Sequence, residues 1–355
     1  MNPQIKDDFS FLKVMINDSK RQSSSLYRPG PYWNYKVKSA ISEIKRCGIK
    51  DFRGSSNLIG LSYADNLVID IRDAYNYGFR KIIIWGTKLF PFSKIYDAQL
   101  AQTRNYAAES IRNCQENLNS KPRVRELLGK YRLPYSLLGG CKKAVNINGQ
   151  DYAIHYLNVL EQHDNVAAHI RYDMARTVFE IGGGFGVNVH LLIENYPNIR
   201  KVIYLDIPPN LYVGTQYLKA FYGEAVSDCR KFQNLETIKF TDTDDLEIFC
   251  IAPWQIEKLQ AQVDIFINAH SFVEMPKDIV SNYAHHIMRL NSSDKSAIAL
   301  ISYDLFDLTT TFDPANLPQF FPGRKFQFFE HEGLVDSSRR NLYYVSSGNI
   351  PVEES

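Results

Sequence analysis

Three short blocks of this sequence hold residue types whose spacing suits chemistry. The first, Glu180-Ile181-Gly182-Gly183-Gly184-Phe185-Gly186, sets one acid before four glycines. A glycine-rich turn between a buried strand and a helix lets a nucleotide-like ligand approach the backbone, because no β-carbon intervenes. The same glycines would also serve a tight structural turn. A dinucleotide fingerprint needs Gly-x-Gly-x-x-Gly, and the last place falls on Val187 or Val189, so the register disfavours NAD. The second block ends at Asp206, after the apolar run Val202-Ile203-Tyr204-Leu205 and before Ile207-Pro208-Pro209. A carboxylate closing a strand there can accept both hydroxyl hydrogens of a ribose. It can also cap the helix that the prolines open.

The third block is Asn268-Ala269-His270-Ser271-Phe272-Val273-Glu274-Met275-Pro276. His270 is the candidate base, since imidazole titrates near neutral pH and can take a proton from a reacting hydroxyl. Glu274 would orient it or bind an acceptor hydroxyl. The structural alternatives are a hydrogen-bonded loop histidine and a glutamate that pins its own loop. His331 and Asp304 are reserves on later loops, and a divalent ion near Glu274 and Asp304 lacks a ligand cluster of convincing spacing. No metal is expected.

These blocks require strands ending beneath them. Val178 to Ile181, Val202 to Leu205, Val263 to Ile267 and Ala297 to Tyr303 read as buried strands. Phe249 to Ile251 is the choice for the third strand in order, with Thr237 to Thr241 competing. Helices are expected from Val187 to about Asn195, from Pro208 or Pro209 to Gly223, and from about Pro276 to Leu290. Alternating strands and helices imply an α/β fold, a mostly parallel sheet covered on both faces. Lys325 to Glu330 and Asn341 to Ser346 add a carboxyl-terminal antiparallel pair. If the third strand ends at Ile251, Trp254 either packs on a ligand's base or belongs to the core of a short helix.

The region 1–160 reads differently from 161–355. It is mainly helical, with patterns at Tyr35 to Ile44 and Lys94 to Leu118, and Asn148-Gly149 marks a hairpin near 144–154. A helix follows from about Tyr156 to Arg176. Residues 1 to about 35 read as an arm or loop, because Arg28-Pro29-Gly30-Pro31 forbids a continuous helix. Tyr27, Tyr32, Trp33 and Tyr35 cluster in that arm, either closing a site against water or strapping the fold.

With 355 residues and 45% hydrophobic content the chain can bury a large core. Lysine and arginine total 41 against 39 acids, with scattered basic pairs, which argues against a nucleic-acid groove or an anionic membrane surface. The 5 cysteines are far apart and suit a reducing cytoplasm. The start, Met1-Asn2-Pro3-Gln4, lacks the basic and apolar stretches of a secretory signal, and the apolar run Ile82 to Trp85 is too short to span a bilayer. A cytoplasmic protein without membrane insertion is expected, and a homodimer is an open option.

Glu180 to Gly186 matches the acid-x-Gly-x-Gly-x-Gly pattern of class I methyltransferases. Together with Tyr204-Leu205-Asp206-Ile207-Pro208-Pro209 and the block from Asn268 to Met275, it resembles the bacterial sugar O-methyltransferases, firmly over about residues 160 to 350. The resemblance implies a Rossmann-like class I sheet and S-adenosylmethionine as cofactor. Glu180, Gly182, Gly183, Gly184, Gly186, Asp206, Ile207, Trp254 and Asn268 would bind it, with Glu180 orienting the loop or meeting the methionine end. His270 and Glu274 would be catalytic. It also implies a glycan or small-molecule acceptor, free or nucleotide- or lipid-linked, methylated on a sugar hydroxyl during polysaccharide or glycoconjugate synthesis. The alternatives are a methyltransferase acting on another small molecule and a non-catalytic binding or scaffold protein that keeps the fold.

Overall fold

The computed structural model describes residues 3–54, 112, 114–132, 134–291, 293, 295–304, 310–335 and 340–348. Eight strands form one sheet: β3 (Thr177–Ile181), β4 (Lys201–Leu205), β5 (Val226–Asp228), β6 (Glu247–Ile251), β7 (Ile265–Ala269), β8 (Ala297–Tyr303), β9 (Gln327–Glu332) and β10 (Arg340–Ser346). Their order is β5-β6-β4-β3-β7-β8-β10-β9. β3 to β8 are parallel, whereas β10 runs antiparallel to β8 and β9 antiparallel to β10. This is the Rossmann-like class I methyltransferase sheet with its carboxyl-terminal antiparallel pair, extended by the short edge strand β5. A separate hairpin pairs β1 (Ala144–Ile147) with β2 (Gln150–Ala153). Asn148 and Gly149 form its turn with φ of 54° and 84°, as the dipeptide demands.

Alternate residues of the strands feed two cores. Val178, Val202, Tyr204 and Cys250 join the apolar cluster on one face, while Phe179, Ile203, Leu205 and Phe249 join the other. The first face carries α1 (Phe9–Arg21), α2 (Pro31–Cys47), α3 (Pro122–Lys130), α4 (Ile154–Ala167), α5 (Val187–Asn195) and α6 (Pro208–Tyr222). The second carries α7 (Lys277–Leu290). Burial on both faces is what makes the strands nearly continuous apolar runs.

The amino-terminal stretch corrects the sequence expectation. Instead of an arm throughout residues 1–35, α1 begins at Phe9, capped by the Asp8 carboxylate, which accepts from the Phe11 amide at 2.9 Å. Pro31 opens α2 rather than breaking it, because at the first helical position its missing N–H costs nothing. The connection between them crosses the molecule: Phe11 and Ala40 belong to the first core and Tyr27 to the second.

Other boundaries moved less. α4 ends at Ala167, short of Arg176. β6 occupies the favoured third-strand position, while the competing stretch makes only an isolated bridge from Ile238 to Leu259. β7 starts two residues later than expected, so it ends immediately before His270. The helical pattern at Lys94 to Leu118, as far as residue 111, and the run Ile82 to Trp85 lie outside the described residues. Among the described residues no helix is long and apolar enough to cross a membrane.

Candidate active site

Strand order reverses about β3, whose neighbours are β4 and β7. The carboxyl ends of these three strands therefore bring Glu180, Asp206 and Asn268 to one crevice, the place where open α/β sheets bind ligands. Gly182, Gly184 and Gly186 take φ of 74°, 64° and 87°. That backbone region is open to glycine and costly for other residues. Gly182 donates to the Leu205 carbonyl at 2.8 Å, tying the turn to β4. A β-carbon on Gly182 would collide with the Ser271 hydroxymethyl, and one on Gly183 with the Glu180 carboxylate. Conformation and packing thus account for these glycines, and the case for a ligand rests on the acids.

Asp206 is buried, with one carboxylate oxygen accepting from the Gly184 amide at 3.0 Å and the other from Ile207 at 2.7 Å. Burial drives its carboxyl well above the usual range, against the two amide bonds, and the charge of Glu180 adds to the rise. Ile207 also caps α6 through its carbonyl, which accepts from Leu211 at 2.8 Å. Glu180 is fully buried; burial pushes it up to about 7, and Asn188 donates to one oxygen at 2.7 Å. Its other oxygen is buried without a hydrogen-bond partner. Such an oxygen is costly unless something donates to it. A hydroxylated nucleoside with an ammonium group supplies donors of both kinds, so these acids fit S-adenosylmethionine. Trp254, half-buried after β6, stands beside the end of β4, because Ile251 is in register with Leu205. It packs against both cores.

On the β7 side, Asn268 braces the crevice. Its amide nitrogen donates to the Ile181 carbonyl at 2.8 Å and to the Ser271 hydroxyl at 2.6 Å, and its carbonyl accepts from Phe272 at 3.1 Å. Those bonds link the glycine turn to the loop holding His270. His270 itself sits at φ 69° and ψ −33°, a strained setting for a residue with a side chain. Its ring is buried and stacked on Tyr303, with centroids 4.3 Å apart and planes 16° apart. The amide nitrogen of Gln162, from α4, lies 3.1 Å from Nε2. Burial lowers His270 to about 4, so it is neutral near pH 7.

Glu274 is also buried, and its two oxygens meet two aromatic donors. Trp33 Nε1 donates to Oε2 at 2.9 Å, and the Tyr303 hydroxyl to Oε1 at 3.4 Å. Lys36 lies over the Trp33 ring at 5.2 Å and senses the Glu274 charge. The Tyr27 hydroxyl donates to Glu257 at 2.7 Å. The side chains of Tyr32 and Tyr35 are outside the described residues.

The reserve candidates stand apart. His331 is exposed on edge strand β9, and exposed Asp304 accepts from the Arg340 amide at 3.3 Å. Gln162, Ser271 and Tyr303 had no role in the sequence reading. Neither did Arg53, fully buried, whose guanidinium donates to the Leu138 carbonyl at 3.1 Å and lies 5.2 Å from the Phe185 ring of the glycine turn. Nor did His155, which burial beside Arg53 drives to about 3. Ser271 lies within the third block, whereas no motif announces Gln162, Tyr303, Arg53 or His155; only the fold collects them.

No protein-family model matches the chain, and no curated protein does. Among solved structures, human N-acetylserotonin methyltransferase aligns at 12% identity and TM-score 0.35, over 55% of this chain and 56% of its own. This chain thus spans little more than half of that enzyme. The mitomycin 7-O-methyltransferase MmcR aligns at 11% identity and TM-score 0.36, over 82% and 83%. A SAM-dependent methyltransferase from Aquifex aeolicus aligns at 12% and 0.34, over 54% and 93%. At that level of likeness none of them bears on activity, which has to be argued from the site.

Proposed function

We propose that this chain is an S-adenosylmethionine-dependent O-methyltransferase that acts on a sugar hydroxyl in polysaccharide or glycoconjugate assembly. The observation carrying the cofactor assignment is the pair of buried acids at the strand switch: Asp206 under the glycine turn and Glu180 with an unpartnered oxygen. Asp206 would receive the ribose hydroxyls and Glu180 the ammonium group, with Trp254 beside the base. The sugar assignment is supported by the resemblance of the three sequence blocks and by the neighbourhood of His270. There a carboxylate and aromatic side chains suit a hydroxylated ring.

When bound, the cofactor supplies a methyl group on a sulfonium, set for in-line displacement. The chain's part is to align the acceptor oxygen and take its proton. An acceptor oxygen that shares a lone pair with an electrophilic carbon would become strongly acidic at its proton. A base as weak as His270 then suffices, and its neutrality keeps it ready. The role requires Gln162 to turn its carbonyl oxygen toward Nε2–H, which places the accepting lone pair on Nδ1. The strained backbone at His270 aims that ring, with Asn268 and Ser271 bracing the loop.

The test has two stages. Calorimetric titration with S-adenosylmethionine, S-adenosylhomocysteine and NAD should show binding of the adenosyl compounds alone. Transfer of radiolabelled methyl to a panel of glycosides and sugar nucleotides should then occur with the native protein and fail with His270→Ala. NAD binding in place of the adenosyl compounds would overturn the cofactor. Adenosyl binding with no sugar methylated would favour a binding protein or a non-sugar acceptor.

A further inference from the structure

The connection from α1 to α2 runs from one core to the other and passes the carboxyl ends of the strands. Gly30 comes so near the loop after Glu274 that a β-carbon there would lie 3.0 Å from Pro276 and 3.2 Å from the Glu274 carbonyl. Just beyond, Trp33 donates its indole N–H to Glu274 Oε2, while Tyr303 from β8 donates to Oε1. Tyr303 is also the residue stacked on His270. A buried carboxylate is thus gripped from both sides, by residues far apart in the chain, within one side chain of the candidate base.

A donor on each oxygen fixes the plane of the carboxylate. The connection is already anchored by Tyr27, whose hydroxyl donates to Glu257 and contacts His286 at 3.3 Å. An oriented carboxylate among half-buried aromatic rings accepts sugar hydroxyls while the rings cover C–H faces. Resting on the methyltransferase reading above, we infer that Trp33 is a positioning residue of the acceptor site. It orients Glu274 to accept a hydroxyl of the acceptor sugar, which makes the amino-terminal connection part of that site. Tyr303 shares the task and links Glu274 to His270.

The experiment uses full-length protein labelled with 15N-tryptophan and saturated with S-adenosylhomocysteine. The probes are the methyl glycosides of glucose, mannose, galactose and rhamnose, with binding read by saturation-transfer NMR and by the Trp33 indole signal. That signal is assigned by its loss in Trp33→Phe. The expected result is that a glycoside binds and shifts the Trp33 signal. Trp33→Phe should bind S-adenosylhomocysteine as the native protein does but the glycoside roughly 10- to 100-fold more weakly, the value of one hydrogen bond to a charged group. Tyr27→Phe loosens the anchor without touching Glu274 and should keep glycoside affinity within about twofold, because the bond it removes goes to Glu257 and not to Glu274. Equal glycoside binding by native protein and Trp33→Phe, with an unmoved indole signal, overturns the proposal. So does an equal loss in both variants, which would mark a mere strap, and so does the failure of every glycoside to bind. Failure of S-adenosylhomocysteine itself to bind would instead strike the underlying cofactor reading.

Discussion

The glycine turn and the two acids of the crevice come from a single β-α-β stretch, Glu180 to Asp206. The cluster around His270 gathers Trp33 from α2, Gln162 from α4, Glu274 from the loop after β7 and Tyr303 from β8. The first is held by backbone: amides of Gly184 and Ile207 on Asp206, and left-handed glycines that admit the turn. The second is held by side chains gripping one another. A backbone-built site is fixed once the local fold forms, whereas a side-chain-built site can be retuned one residue at a time. Such a division suits an enzyme whose cofactor is constant and whose acceptor varies.

The largest effect should fall on the backbone-built side. If Asp206 receives the ribose hydroxyls as proposed, Asp206→Ala removes two hydrogen bonds from ribose to a carboxylate, each about 1.5–3 kcal/mol, so S-adenosylmethionine affinity should drop by at least ~100-fold. Calorimetry on native protein and variant measures it directly, and a loss under tenfold would mean that Asp206 serves only to hold the Gly184 and Ile207 amides.

Glu180 sharpens the contrast, because stability and binding should move in opposite directions. Its folded-state pKa is raised to about 7 by burial, so the folded protein holds the proton more tightly than the unfolded chain. The sign follows: no penalty exists below the unfolded value near 4.3, stability falls as pH rises from there to about 7, and it is level above. The full penalty is ~4 kcal/mol at ~1.4 kcal/mol per unit. Glu180→Gln should therefore flatten urea-unfolding stability between pH 5 and 8 and raise it at pH 8, while weakening S-adenosylmethionine binding. A variant that is less stable at pH 8, or binds as tightly, would show that the unpartnered oxygen awaits no cation.

The same contrast explains what sequence could and could not disclose. Strand ends, the glycine turn and Asp206 were legible because their signals are local: apolar runs, a fixed glycine spacing, prolines opening α6. The hairpin at Asn148-Gly149 was legible for the same reason. α1 was missed because its buried residues, Phe11, Leu12 and Met15, are few and the serine-rich stretch after it read as loop. β5 was missed because three residues carry no period, and it exists only by pairing with β6. Gln162 and Tyr303 bear no motif at all. Their roles come from α4 and β8 arriving at the same crevice, which is tertiary information.

The acceptor side makes its own prediction through pH. Burial lowers His270 to about 4, and a base must be neutral to accept a proton. Once an acceptor is in hand, kcat/KM for that acceptor, measured at saturating S-adenosylmethionine so that Glu180 titration does not enter, should hold steady as pH falls from 8 to about 5 and decline only toward 4. An acid limb near the ordinary histidine value of ~6.5 would place the essential base elsewhere or show that the acceptor complex leaves His270 solvated.

The smallest effect probes why His270 stands where it does. Its φ of 69° with ψ −33° lies near the positive-φ γ-turn, a setting that costs of order 1–3 kcal/mol for a residue with a β-carbon and little for glycine. Comparing His270→Gly with His270→Ala cancels most of the lost ring packing and isolates that cost. The glycine variant should resist urea better by about 1–2 kcal/mol, even though glycine ordinarily loses more chain entropy on folding. Both variants should lose methyl transfer equally. A glycine variant no more stable than the alanine one would mean that the loop relaxes when the ring is gone. The ring's stacking on Tyr303 and its contact with Gln162, rather than the Asn268 and Ser271 brace, would then hold the strained backbone in place.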